Sequence, residues 1–243
     1  MKKTNEAGSA PAKPSLKSFL ILVSVTVLYT LYRYEGSSLF YLANLNRSPL
    51  YMIAQARSVY FQRTAALFLL GIVPMIVVKV AFKEKLSEYG FSVRNPIVAV
   101  LITLLGVLAV TPLTFFGSRD PRLAAIYPQA QNAAESTFLF WQSSFFYLLY
   151  YVGYEFCFRG FLYMGIREDV GDWQALGVSL LATVLLHVTQ PQTETIMAIV
   201  AGVVFPLLTR RFRSIWPCVL IHAYTGISLD YWIIVWGGGF RAP

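Results

Sequence analysis

Residues 143–166 read SSFFYLLYYVGYEFCFRGFLYMGI. They are aromatic or aliphatic almost throughout, yet Glu155 and Arg159 stand near the middle. An ionisable group at the centre of a membrane helix costs about 2.5–3.5 kcal/mol on insertion scales, so it persists where it faces other helices and has a partner. At i, i+4 the two side chains share one helix face and can pair. The stretch therefore reads as a buried membrane helix carrying a polar element on one side.

The rest of the chain supports a membrane protein. Of 243 residues, 56% are hydrophobic and 13% charged. Soluble domains run about 45–50% apolar and about 25% charged. Continuous apolar runs exclude a β-barrel, whose strands would alternate. The expected fold class is all-α, a polytopic transmembrane helix bundle. About seven spans are expected, near 18–34, 64–82, 96–116, 137–163, 173–190, 194–209 and 215–236, with room for an eighth, short helix between Arg33 and Arg63. Residues 1–17 read as a disordered basic tail and 18–243 as a single transmembrane domain.

The net charge of +8 is read as loop Lys and Arg rather than a nucleic-acid footprint. Lys2, Lys3, Lys13 and Lys17, then Lys83, Lys85 and Arg94, then Arg210, Arg211 and Arg213 fall on one side if seven spans alternate. That side is expected to be cytoplasmic, in the cell membrane. Arg33, Arg47, Arg57 and Arg63 in the first loop count against it. Cys157 and Cys218 lie in apolar runs and read as buried small residues.

The chain has two histidines, His187 and His222, and both fall in apolar segments. With Glu155 they form a potential reactive set: imidazole and buried carboxylate both take protons from water. The same three residues could hold Zn²⁺, although no HExxH is present. Glu194 follows His187 beyond Pro191 and either caps the sixth helix or joins the site. Asp230 lies about two helical turns after His222. No GxSxG elbow supports a serine nucleophile. The spacing leaves three readings open: a water-activating hydrolase, a metal site, or the proton relay of a transporter.

"YEFCFRGFL", "LLHVTQPQTE" and "RSIWPCVLIHAYTGISLD", in that order, resemble the three motifs of the CAAX-protease and bacteriocin-processing family of intramembrane proteases, which are type II CAAX prenyl endopeptidase-like. The resemblance spans about residues 137–235 and suggests a divergent bacterial branch. The family pattern is Glu-Glu-x-x-x-Arg, Phe-x-x-x-His and His-x-x-x-Asn/Asp. It implies a membrane-embedded endopeptidase acting on a membrane-associated protein or peptide; no cofactor is expected, with Zn²⁺ as the alternative. Glu155 would be the general base aided by His187, Arg159 would orient Glu155, and His222 would polarise the scissile carbonyl. Three positions depart. Tyr154 replaces the first Glu, Thr183 replaces the Phe as a packing change, and Gly226 replaces the Asn or Asp, with Asp230 a conceivable substitute. The departures keep a second reading open: a catalytically silent relative that binds a membrane partner or confers immunity to a peptide toxin.

Overall fold

The structure, a computed structural model, is described for residues 15–241. Most of the expected N-terminal tail lies outside these residues. Among them no strand occurs, and seven main helices alternate in direction. They are α1 (Leu16–Tyr34), α2 (Tyr51–Phe82), α3 (Pro96–Gly117), α4 (137–170), α5 (Asp172–Leu185), α6 (Gln192–Phe212) and α7 (Trp216–Trp236).

Helix starts follow local chemistry. Ser15 caps α1, Asn95 caps α3 ahead of Pro96, and Ser136 caps α4, each side-chain oxygen accepting a backbone N–H. Five helices, α1, α2, α3, α6 and α7, are long and apolar enough to cross a membrane. The expected count of about seven spans is thus approximate, matching the seven main helices in number while five of them pass by length and hydropathy. Helix α4 is long, but its tyrosines and polar residues dilute its hydropathy. Helix α5 stops at Leu185 rather than near residue 190. At 1.5 Å per residue it is about 21 Å long, short of an apolar core of about 30 Å. The short helix expected between Arg33 and Arg63 is present as Ser38–Phe40 and Tyr41–Leu45, but the second long helix begins well before residue 64. Helix α2 starts at Tyr51, so Arg57 and Arg63 are helical rather than in a loop.

Helix α4 is the central pillar. Its first part, Thr137–Glu155, is regular, and over Phe156–Met164 it widens to π-type hydrogen bonding, every residue of that segment being buried. Helices α1, α2, α5, α6 and α7 all pack on it. In lipid, helices associate through close backbone approach rather than hydrophobic expulsion. Gly153 supplies that approach, since a Cβ there would lie 2.5 Å from the Ala66 carbonyl oxygen of α2. Helix α3 packs chiefly on α7 and turns Val100, Leu104 and Leu108 outward.

One end of the bundle is tied together by polar contacts. Lys17 at the start of α1 pairs with Glu84 at 2.7 Å, Glu84 also accepts from Tyr89, Ser15 and Ser18 donate to Asp169, and Arg210 pairs with Asp172 at 2.7 Å. Among the described residues, Lys17, the loop around Lys83 and Arg210 therefore share one end.

Candidate active site

Glu155 ends the regular part of α4, and Arg159 lies one turn further, inside the π segment. Both side chains are 0% exposed, with Arg159 Nε 3.2 Å from Glu155 Oε2. The approach lacks hydrogen-bond alignment, so this contact is chiefly Coulombic. The other carboxylate oxygen, Oε1, faces His222 Nδ1 of α7 at 2.6 Å. An ionised carboxylate only accepts, so Nδ1 carries the hydrogen and Nε2 is left as the free acceptor. The His222 ring is held flat against Tyr151, centroids 4.0 Å apart, and edge-on to Tyr154 and Phe205.

His187 sits just past the end of α5, in the turn that the early stop of that helix creates. Its Nδ1 lies 2.8 Å from the Thr183 carbonyl, again an acceptor, so Nε2 is free here too. Thr195 of α6 donates to the His187 carbonyl at 2.6 Å and fixes the turn. Arg159 Nη1 donates to Thr183 Oγ1 at 2.8 Å. Thr183 is thus more than a packing change, since its hydroxyl accepts from Arg159 and its carbonyl holds His187.

A cavity of about 390 Å³ reaches these groups, within the size range of small-ligand sites. His187, His222, Tyr154 and Glu194 line it. Glu194, in the first turn of α6, accepts from Tyr127 at 3.0 Å. Glu155, Arg159 and Asp230 do not line it. The expected direct action of Glu155 on water is therefore not what the geometry offers, because its carboxylate lies behind the His222 ring. Asp230 is buried with Oδ1 unpartnered and does not join the histidines. At Gly226 a Cβ would stand 2.9 Å from Tyr147 Cε1, so the Tyr147 ring occupies the space a side chain would need.

Among the described residues, no three His, Cys, Asp or Glu side chains are placed to hold a metal ion. Glu155, His187 and His222 do not converge as a zinc set, and Glu155 is already engaged by Arg159 and His222.

Sequence reasoning missed Arg63. It is 2% exposed, lines the cavity, and lies over the Tyr147 ring at 3.5 Å. A signal was present. Val59, Arg63, Ala66 and Leu70 follow a 4-3-4 spacing, and all four are buried, so Arg63 occupies a core position of an amphipathic face.

Residues 136–227 match the family model described as type II CAAX prenyl endopeptidase Rce1-like. No curated protein and no solved structure matches the chain. The segment matched contains Glu155, Arg159, His187, His222 and the cavity wall built by α4 and α6. Arg63 and Tyr127 lie outside it.

Proposed function

We propose, starting from that protease-family match, that this multi-pass membrane protein is an endopeptidase. It would hydrolyse a peptide bond of a membrane-associated protein or peptide without a metal. The observation that carries the reading is a histidine on the cavity wall whose Nδ1 is held 2.6 Å from a fully buried glutamate.

In this mechanism His222 Nε2 takes a proton from water as the water oxygen attacks the scissile carbonyl carbon. Glu155 fixes the His222 tautomer and stabilises the imidazolium that forms, and Arg159 fixes Glu155. His187 Nε2 accepts the second hydrogen of the water and orients it. The Tyr154 hydroxyl, buried and unpartnered on the same wall, donates to the developing oxyanion. The intermediate collapses, the C–N bond breaks, and His222 returns its proton to the leaving amine. The developing charge meets donors that packing already holds in place, and such fixed donors act strongly.

The test is cleavage of a membrane-linked peptide by protein reconstituted in liposomes. His222→Ala and His187→Ala should each lose nearly all activity, and full activity in both would refute the assignment. A second reading is a silent member that binds a peptide without cutting it. The observation favouring it is the pair of tyrosines, Tyr154 and Tyr147, filling the places of the two functional groups expected at positions 154 and 226. Peptide binding without cleavage would select that reading.

A further inference from the structure

We infer that Arg63 forms a subsite of the cavity that takes a carboxylate of the ligand. Arg63 sits in a membrane-crossing helix and is 2% exposed. Its Nη1 donates to the Ser143 carbonyl and hydroxyl, both at 2.9 Å, and its guanidinium stacks on Tyr147. These contacts fix the plane of the group. Its other edge, Nε and Nη2, has no partner. Among the described residues no carboxylate lies within ion-pair distance of it; the buried Asp230 of α7 acts on it and on Tyr147 from farther away. That edge presents two parallel N–H groups, the geometry that a planar carboxylate accepts as a pair.

An unpaired buried charge is costly, and a ligand anion offsets that cost. The hydroxyls of Tyr147 and Tyr154, also unpartnered and on the same wall, suit the carbonyl oxygens of a peptide. The one carboxylate lining the cavity among the described residues, Glu194, is engaged by Tyr127. Neither free nitrogen is open to solvent, so the ligand displaces wall side chains as it enters.

The inference rests on reading the cavity as a peptide site but not on hydrolysis, so its test reads binding alone. Short apolar peptides are compared on the full chain in nanodiscs as free acid, as C-terminal amide, and as amide with one internal Asp. A charge-assisted hydrogen-bonded contact predicts about 10–100-fold tighter binding of one acidic form over the neutral amide. Whichever acidic form gains identifies the source of the carboxylate. Arg63→Gln should bring the ratio to near one, and Arg63→Lys should leave a reduced preference. Equal binding of all three peptides to the unaltered protein, or an acid preference that survives in Arg63→Gln, overturns the proposal. Absence of cleavage would leave this result standing and would count against the peptidase reading instead.

A separate observation concerns access. The exposed residues of the cavity wall, Arg33, Ile126 and Thr189, belong to the C-terminal end of α1, the 118–136 connection and the α5–α6 turn. All lie at the end of the bundle opposite Lys17, Glu84, Asp172 and Arg210, since each helix reverses direction. Lys17, Lys79, Lys83, Lys85, Arg94, Arg167 and the run Arg210, Arg211, Arg213 mark that opposite end, and Lys2, Lys3 and Lys13 precede it in the sequence. The mouth end carries Arg33, Arg47, Arg57, Arg119, Arg122 and Arg241, and ion pairs occur at both ends, Arg122–Asp120 and Arg241–Glu135 here, Lys17–Glu84 and Arg210–Asp172 there. With Arg63 withdrawn into the core, the excess of Lys and Arg assigns the end that carries Lys17 and Arg210 to the cytoplasm. We infer that the cavity opens on the non-cytoplasmic face and takes a peptide from that side.

Cysteine labelling tests this. Cys157 and Cys218 are both 0% exposed and should give little background. A membrane-impermeant maleimide should label Thr189→Cys in intact cells and Lys85→Cys after permeabilisation only. The reverse pattern, or labelling of Thr189→Cys after permeabilisation only, overturns the inference. A fluorescent protein fused after residue 243 gives a second measure independent of these variants. It should stay dark outside the cytoplasm, and bright fluorescence counts against the inference.

Discussion

Replacing Glu155 by Gln separates the two tasks assigned to this carboxylate. Gln keeps the size of the side chain and an oxygen that can still accept from His222 Nδ1, which lies 2.6 Å away. It removes the charge that stabilises the His222 imidazolium and that neutralises Arg159, 3.2 Å away and 0% exposed. Removing one partner of a buried ion pair costs about 3–5 kcal/mol, because the other charge is left without compensation. Arg159 retains its 2.8 Å bond to Thr183, which favours the lower part of that range. Loss of the carboxylate behind a catalytic histidine costs about ten-thousand-fold in rate where that arrangement has been dissected. The double variant Glu155→Gln/Arg159→Met removes both charges and should recover most of the stability, while its activity stays near that of the single variant. Thermal unfolding in detergent and peptide cleavage in liposomes measure the two quantities side by side. Activity of Glu155→Gln within tenfold of the unaltered protein would remove the Glu155–His222 pair from the mechanism. Recovery of activity in the double variant would mean that charge balance alone mattered.

Gly226→Asn, which restores the residue type of the family pattern, should destabilise the protein by about 1–3 kcal/mol through overpacking, since the new Cβ meets Tyr147 Cε1 at 2.9 Å. Adding Tyr147→Leu should relieve the clash in the same unfolding assay, and an unchanged melting temperature for Gly226→Asn alone would refute the packing argument. At the Lys-rich end, hydrogen bonds from Ser15 and Ser18 hold the Asp169 carboxyl below the usual carboxylate range. A folded value below the unfolded one contributes stability that is complete above the unfolded pKa of about 3.9 and is lost as pH falls through the folded value. Ser15→Ala/Ser18→Ala should therefore reduce the loss of stability between about pH 4 and pH 2, as read from melting temperatures. An unchanged acid limb would remove Asp169 from it.

Much of the framework was legible in the sequence because a bilayer imposes its constraint locally. A run of apolar residues either is or is not long enough to span, whatever its neighbours do. Hence the all-helical class and the approximate places of the seven main helices followed from hydropathy, and Glu155, Arg159, His187 and His222 stood out as ionisable groups in oil. Local composition also located the polar end: Lys17, Lys83 and Arg210 are loop or terminal residues by pattern, and the fold brings their regions together.

What the tertiary structure decided is which polar groups meet and which face the cavity. That depends on the rotation and crossing of each helix, which hydropathy does not encode. The i, i+4 spacing placed Glu155 and Arg159 on one face, but only the approach of α7 sets His222 between Glu155 and the cavity. The early stop of α5 at Leu185 frees His187 to turn toward α6, and it makes Thr183 a polar link rather than a packing residue. Arg63, counted as a loop cation by pattern, lies in the core because α2 begins at Tyr51. Tyr154 and Gly226 read as losses in the sequence. In the folded chain the ring of Tyr147 fills the space beside Gly226, and Tyr154 stands on the cavity wall. Local transfer energies fixed the helices, and side-chain packing between helices far apart in the chain fixed the site.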